Sequence, residues 1–502
     1  MEINTIKEGE YYLGQIEFSP WRHAKILLGE KEIFIHKSNT LNSLHLDQVR
    51  VKTFRKNNKL EAKVTEVISR FKNQFVGKVS KTKKSTFVIS DSNKIHTDFY
   101  IKGGLQAEDG QKVVIEITKW DDTKSPQAKI VKILGEIGDN DAEMNSIMYE
   151  YNLPVDFPQS VLNESELVPE VITEKEIKNR RDMRGVTTIT IDPHDAKDFD
   201  DALSVNIIDE NLIEIGVHIA DVSHYVKPGT ELDDEAFKRS TSVYLVDRVV
   251  PMLPERLSNG ICSLKPHEDR LAFSVVFKMN KSGEILDTWF GKTVIHSDRR
   301  FAYEEAQEII EGADGDFKNE IIILNELAKK LRKERIKAGS IEMGGVEVRF
   351  ELAGDGKKPI GVYFKEQKEA NKLIEEFMLL ANKSVANFIK SKIGFCVNRV
   401  HPEPSQEKLL ELKNICDKLG YDFDLNEEKI KESLNKLILD IKGTPEENFM
   451  STLIVRTQNK AFYSTEDIGH YGLSFKDYSH FTSPIRRFAD LVVQRLLFKI
   501  LS

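Results

Sequence analysis

Five aspartates fall within the ten residues from Asp192 to Asp201 of "TIDPHDAKDFDDALSV": Asp192, Asp195, Asp198, Asp200 and Asp201. Like charges at that density repel one another, and burial makes the repulsion worse. The strand-like segments "TTITID" and "ALSVNII" flank the loop and anchor both of its ends. An inert, solvated acidic loop is the competing interpretation, and the anchored ends count against it. A hard divalent cation resolves the repulsion, because Mg²⁺ and Mn²⁺ take oxygen ligands. A calcium loop fails on spacing. With Asp192 as position one, positions three, six and twelve are His194, Lys197 and Leu203, where an EF-hand needs an oxygen ligand, Gly and Glu. What remains is a Mg²⁺ site with open positions for a phosphate and a water, the arrangement that polarises phosphodiesters.

The 502 residues are enough for three to four units. No apolar run approaches the roughly 20 residues of a membrane helix. The start, "MEINTIKEGE", is polar and acidic, without signal-peptide or transit-peptide character. Cys262, Cys396 and Cys416 are odd in number and far apart, which argues against a disulfide framework and a cysteine zinc site. A cytoplasmic, monomeric protein without membrane contact is expected. The net charge of −8 is unevenly spread. Residues 1–140 hold 24 Lys/Arg against 18 Asp/Glu, and the remainder holds 49 against 63. Between Arg50 and Lys84 there are twelve basic residues and two acidic ones. A basic front end on an acidic body suits a polyanionic partner, with a plain Lys-rich surface as the rival explanation.

Residues 1–138 read as two runs of about five short strands. The first includes "YYLGQIEF", "KEIFIH" and "LEAKVTEVI"; the second includes "QFVGKVSK", "KVVIEITKW" and "QAKIVKIL". Two small antiparallel OB-like barrels are predicted, over 1–70 and 71–138. Trp21, Phe34 and Phe75 are candidates for base-stacking faces there, with barrel core as the competing role. Residues 139–180 read as an acidic linker with one short helix. From about Thr187 strands mix with long amphipathic helices, roughly 318–338, 367–391, 405–419 and 446–463, which predicts a large α+β domain over 181–502.

A second informative stretch is "SHFTSPIRRFADLVVQRLLFKIL". Ser483 as N-cap and Pro484 at the first helical position predict a helix start there, with Arg486 and Arg487 in its first turn. Positive charge at that end opposes the helix dipole unless an anion sits beside it. A helix N-terminus with a guanidinium fork makes a phosphate site. Pairing of an arginine with Asp490 is the rival.

Together, "TIDPHDAKDFDDALSV" and "HFTSPIRRFADL" resemble the aspartate signature and the downstream arginine motif of the ribonuclease II / ribonuclease R family, whose catalytic module is the RNB domain. The intervening "HIADVSHYVKPGTELDDEAF", "ANKLIEEFMLLAN" and "GHYGLSF" resemble the family in its own order, and "KEIFIHKSNTLNSLHLDQVRV" is more loosely similar to its first cold-shock domain. The resemblance implies a 3′-to-5′ exoribonuclease that hydrolyses single-stranded RNA to 5′-mononucleotides with Mg²⁺, or with Mn²⁺ in its place. It implies Asp192, Asp198, Asp200 and Asp201 as the metal-holding set, with Asp195 outside it. It also implies Arg486 at the scissile phosphate, with Arg487 beside it on the RNA. Tyr244 matches the aromatic that stacks on bases, against a core role. Glu375 matches a glutamate near the 3′-terminal nucleotide, against a plain helix-surface role. His218 and His224 are read as structural, since hard cations seldom take imidazole. The family's second stacking aromatic falls near Met343, where there is no ring. Relative to the family, 181–502 is expected to be C-terminally incomplete and to lack the final RNA-binding domain. A catalytically weak or inactive RNB-fold RNA-binding or scaffold protein is the alternative.

Overall fold

The computed structural model describes residues 6–21, 23–28, 31–120, 125–342, 346–354, 359–426 and 429–502. They form two compact units, Met1–Asp156 and Phe157–Ser502.

The first unit holds two closed five-stranded barrels. One is built from β1 (Tyr11–Phe18), β2 (Ala24–Leu28), β3 (Lys31–Ile35), β4 (Gln48–Lys56) and β5 (Lys59–Ser69). The other is built from β6 (Gln74–Lys81), β7 (Thr86–Ser90), β8 (Phe99–Gly104), β9 (Lys112–Lys119) and β10 (Gln127–Gly135). In each, the third strand pairs in parallel with the fifth, and the fourth closes back on the first, which is the OB connectivity. The alternation of buried Val49 and Val51 with exposed Gln48, Arg50 and Lys52 is the period of two that a barrel wall requires. Of the three stacking candidates, Phe75 is core, whereas Trp21 and Phe34 are exposed.

The single short helix expected over 139–180 is three: α1 (Asn140–Glu150), α2 (Gln159–Leu167) and α3 (Glu174–Lys178). Composition misled because the acids are used locally. Glu143 takes the Lys112 ammonium at 2.6 Å, and Glu176 closes a capping box with Thr173.

The second unit is built on a seven-stranded sheet in the order β11 (Arg181–Asp182), β18 (Ile285–His296), β17 (Asp269–Asn280), β14 (Leu212–Ala220), β13 (Asp201–Ile207), β12 (Thr188–Asp192), β19 (Arg299–Ala302). A small hairpin, β15 (Val243–Tyr244) with β16 (Val249–Val250), stands apart from it. Alternate residues feed two cores. Leu203, Val217, Phe273 and Val275 pack with α6 (Tyr303–Ile310), α7 (Lys318–Lys337), α8 (Glu369–Ile393) and α12 (Phe488–Leu501). Ala202, Ala220, Ala272 and Val276 face the side that also packs Val222 of α4 (Val222–Tyr225) and Leu232 and Ala236 of α5 (Glu231–Arg239). Small residues on that second face let the covering segments approach closely.

A separate apolar cluster joins α9 (Gln406–Leu419), α10 (Ile430–Asp440) and α11 (Glu447–Thr457). The hairpin β20 (Val346–Leu352) and β21 (Pro359–Glu366) precedes α8. The helix expected over 446–463 ends at Thr457. Its last part is instead β23 (Phe462–Ser464), paired with β22 (Asn398–Val400). Pairing with a distant strand overrides a local preference of a few tenths of a kcal/mol per residue. No helix among the described residues is long and apolar enough to cross a membrane.

Candidate active site

Strands β12 and β13 are antiparallel neighbours, with Ile189 opposite Leu203, so the loop between them emerges at one end of the sheet. It is tied down along its length. Arg300, in register with Thr190 on the parallel neighbour β19, donates to the carbonyls of Pro193 and His194. Ser263 Oγ donates to the Lys197 carbonyl at 2.9 Å and accepts the Phe199 N–H at 3.0 Å. The Ala220 N–H donates to the Asp200 carbonyl at 2.9 Å. Sequence inspection did not single out Arg300 or Ser263. The available signal was a charged pair, Arg299–Arg300, opening an otherwise apolar strand. Arg300→Ala is expected to lower turnover about 10- to 100-fold, as loss of a residue supporting a ligand loop does, while shifting the thermal midpoint little. Parallel turnover and melting curves check this.

The loop gathers its acids in an environment that disfavours their charge. Burial pushes the Asp192 carboxyl well up, and the charges of Asp201, Asp200 and Asp198 add to it against the relief from Arg300. Asp192 Oδ2 is buried and has no hydrogen-bond partner. Asp200 is driven well up by burial, with Arg486 and the Ile485 N–H opposing. Asp201 is pushed up to about 6 by burial, against Arg486 and Arg487. Asp195 is exposed at the loop's tip. The donors are all carboxylate oxygens, one of them orphaned, and this set suits a hard cation. No three such side chains among the described residues already stand as a metal-binding cluster.

The arginine motif arrives at this loop from 285 residues away. Ile485 N–H donates to Asp200 Oδ1 at 2.9 Å, and Arg486 Nε lies 3.6 Å from Asp200 Oδ2. The helix expected to start at Ser483–Pro484 begins instead at Phe488. Residues 483–487 make one isolated turn, with the Arg487 N–H on the Ser483 carbonyl, and Arg487 is then extended (φ −138°, ψ 122°). The backbone here is committed elsewhere. The Ile485 N–H goes to Asp200, the Arg486 carbonyl accepts the Ser242 N–H at 3.0 Å, and the Phe488 N–H donates to Ser240 at 2.9 Å. Arg487 is therefore the N-cap of α12 and Arg486 the residue before it, so the two arginines stand just outside the helix N-terminus and not in its first turn. They also diverge. Arg486 is exposed, held by Ser483 Oγ at 3.0 Å. Arg487 Nη2 binds buried Asp490 at 2.7 Å, the pairing named as the rival explanation.

Tyr244 is exposed, not core, and its hydroxyl donates to Asp198 Oδ2 at 3.0 Å. Burial and the Asp198 charge hold the phenol well above its usual range, so it stays a donor. Glu375 presents surface to solvent yet is crowded. Burial raises its carboxyl, with Arg335, Glu376, Glu342 and Lys372 around it. Its neighbour Glu376 is the buried acid, clamped by Arg335 at 2.5 Å. Met343 lies outside the described residues. His218 is fully buried between Ser274 (2.7 Å) and Ser204 (2.8 Å), and burial depresses it to about 3. His224 pairs with Glu176 at 2.7 Å.

Residues 180–502 match the model of the RNB domain, and residues 87–158 match a cold shock domain. A ribonuclease R of Thermotoga maritima is 38% identical over 502 residues, a span covering 97% of this chain and 70% of the relative. Among solved structures, Mycoplasma genitalium RNase R in complex with ribose-methylated single-stranded RNA superposes with a TM-score of 0.90 at 26% identity, covering 97% of this chain and 79% of that one. The fold alone is also that of yeast Ssd1, a pseudonuclease (TM-score 0.74, 20% identity, 98% and 69% covered). This chain belongs to the ribonuclease II / ribonuclease R family of RNB-domain exoribonucleases.

Proposed function

We propose that the chain hydrolyses single-stranded RNA from its 3′ end to 5′-mononucleotides, in RNA turnover, with Mg²⁺ (or Mn²⁺) held by Asp192, Asp198, Asp200 and Asp201. The observation that carries this reading is Asp200, whose two oxygens face the Ile485 N–H and the Arg486 guanidinium and so join the acid loop to the arginine motif. A bound Mg²⁺ supplies Lewis-acid polarisation of the phosphodiester and acidifies water. Arg486, exposed beside the acids, neutralises charge developing on the phosphate. Tyr244 offers its ring to a base while Asp198 fixes its hydroxyl. Glu375 stands near the terminal nucleotide, and Arg487 braces the turn through Asp490. The RNA-bound relative supports the substrate class. Release of labelled mononucleotides from poly(A) with Mg²⁺, and none with EDTA, tests the proposal. A non-catalytic RNA-binding role is the second reading, favoured by the same fold in a pseudonuclease. Poly(A) bound but never shortened would establish it.

The acid cluster also predicts a pH signature. Asp201 titrates near 6 in the fold against about 3.9 in the unfolded chain. The cation-free native state therefore binds more protons; Asp201 lowers its stability as pH rises from about 4 to about 6, and the raised carboxyls of Asp192 and Asp200 add to the fall. Mg²⁺ is expected to raise the thermal midpoint clearly at pH 8 and hardly at pH 4.5, where protons already neutralise the carboxyls. Melting curves with Mg²⁺ or EDTA across pH 4–8 measure it.

A further inference from the structure

A second guanidinium approaches the turn that carries Arg486. Strands β22 and β23 set Arg399 directly opposite Tyr463, and the Arg399 guanidinium lies over the Tyr463 ring, 4.9 Å from its centroid. On its other edge β22 is tied to the catalytic segment, since the Arg399 N–H donates to the Tyr478 carbonyl at 2.8 Å. Two residues further along that segment, His480 Nδ1 meets the Tyr463 hydroxyl at 2.7 Å. Burial, and then the charges of Arg487, Arg399, His470 and Arg486, push His480 down to about 2. The imidazole is therefore neutral, and its tautomer sets which of the two donates. The same three arginines act on the Tyr463 phenol, which burial and Asp490 raise. Tyr463 and His480 thus lie within electrostatic reach of Arg399 on one strand and of Arg486 and Arg487 on the turn.

The anions nearby are already engaged. Asp490 takes Arg487 at 2.7 Å and the Ser483 N–H at 2.8 Å, while Asp467 and Asp477 are paired with Lys390. No side-chain hydrogen bond or ion pair joins the Arg399 guanidinium to another described residue, so its charge is supported by a ring face and matched by no carboxylate. Tyr463 is 40% exposed, so solvent reaches this pair. A ring-stacked guanidinium keeps the donors at its edge free, and that fork matches a phosphate.

We propose that Arg399, seated on Tyr463, is an RNA-contact residue that takes a backbone phosphate beside the one Arg486 faces. The proposal rests on the exoribonuclease reading above and extends it to a second phosphate of the same strand. With Arg399 and Arg486 on separate segments joined by β22, the RNA backbone is gripped at two points next to the cleavage position. Sequence alone did not expose this, because Arg399 lies in the short "VNRVHP", 87 positions before Arg486, with no helical or loop motif around it.

The test measures binding of a poly(A) oligonucleotide to the Asp200→Asn protein by fluorescence anisotropy across a NaCl series. Adding Arg399→Ala is expected to weaken binding roughly tenfold and to reduce the slope of log K against log salt by about 0.7, the share of one single-strand phosphate. Arg399→Lys keeps the charge and loses the fork, so it is expected to retain the slope with an intermediate affinity. It also serves should the alanine variant melt early. Unchanged affinity and slope in both variants overturns the proposal and leaves the exoribonuclease reading standing. Failure of the Asp200→Asn protein itself to bind the oligonucleotide, together with an inert parent chain, overturns both.

Discussion

Asp200→Asn is expected to abolish mononucleotide release, a loss on the order of 10³-fold or more, while binding of single-stranded RNA is retained. The substitution separates charge from shape. An asparagine side-chain oxygen still accepts the Ile485 N–H that Asp200 Oδ1 accepts at 2.9 Å, so the joint between loop and turn persists. What disappears is the negative charge offered to a cation and to Arg486. The same change relieves the fold. Asp200 is buried and its carboxyl is pushed well up by burial, Asp198 and Asp201, so its ionised form costs stability when no cation is bound. The variant should therefore melt no lower than the parent in EDTA, and gain less from Mg²⁺. Loss of activity through misfolding would show the opposite pattern. Turnover of labelled poly(A), anisotropy with the same oligomer and calorimetry in EDTA and in Mg²⁺ separate these outcomes. A variant that degrades RNA at the parental rate removes Asp200 from the site.

What was legible in the chain followed the locality of its signals. Strand alternation such as "QVRVKTF" and repeated short runs predicted two barrels, and both closed. The 3.6 period of α7, α8 and α9 is local, and the expected spans 318–338, 367–391 and 405–419 agree with these helices to within a residue or two. The aspartate loop was readable because strands flank it. The 483–487 turn was not. Ser-Pro followed by apolar residues at helical spacing is a sound helix start, yet Ser240 and Ser242, more than 240 positions upstream, take the Phe488 N–H and the Arg486 carbonyl that a helix from Pro484 would pair within itself. The β23 strand failed for the same reason, since its partner β22 lies more than 60 positions away. Motif resemblance located Arg486, but only the contact to Asp200 shows how a residue outside regular structure is held in place. The residues that hold the loop, Arg300 and Ser263, carry no motif of their own.

Arg486→Ala and Arg487→Ala should fail in different ways, although the residues are adjacent and identical in chemistry. Arg486 is exposed, its side chain 44% open to solvent, and its contacts to Ser483 and Asp200 are a hydrogen bond of 3.0 Å and an ion pair of 3.6 Å. Such a group contributes little to stability and is free to meet a phosphate, so its removal is expected to cost about 10²- to 10³-fold in kcat with a nearly unchanged melting temperature. A loss that falls in kcat and in kcat/KM alike marks a contact made in the transition state, whereas a rise in KM alone would assign Arg486 to substrate binding. Arg486→Lys restores the charge without the two-pronged donor set and should recover only part of the rate. Arg487 is the reverse case. It is bound to Asp490, a carboxylate with no exposed surface that also receives the Ser483 N–H. Truncating it strands that buried acid, a class of change that costs about 3–5 kcal/mol, and loosens the turn on which Arg486 stands. Arg487→Ala is thus expected to lower the thermal midpoint and the rate together. Replacing Asp490 by Asn in the same chain should return part of the stability, because it removes the stranded charge. Arg486→Ala combined with Asp200→Asn should cost scarcely more than Asp200→Asn alone, since two groups that act as one unit are not additive. An Arg486→Ala protein that melts well below the parent would mean that the arginine serves the fold and not the phosphate.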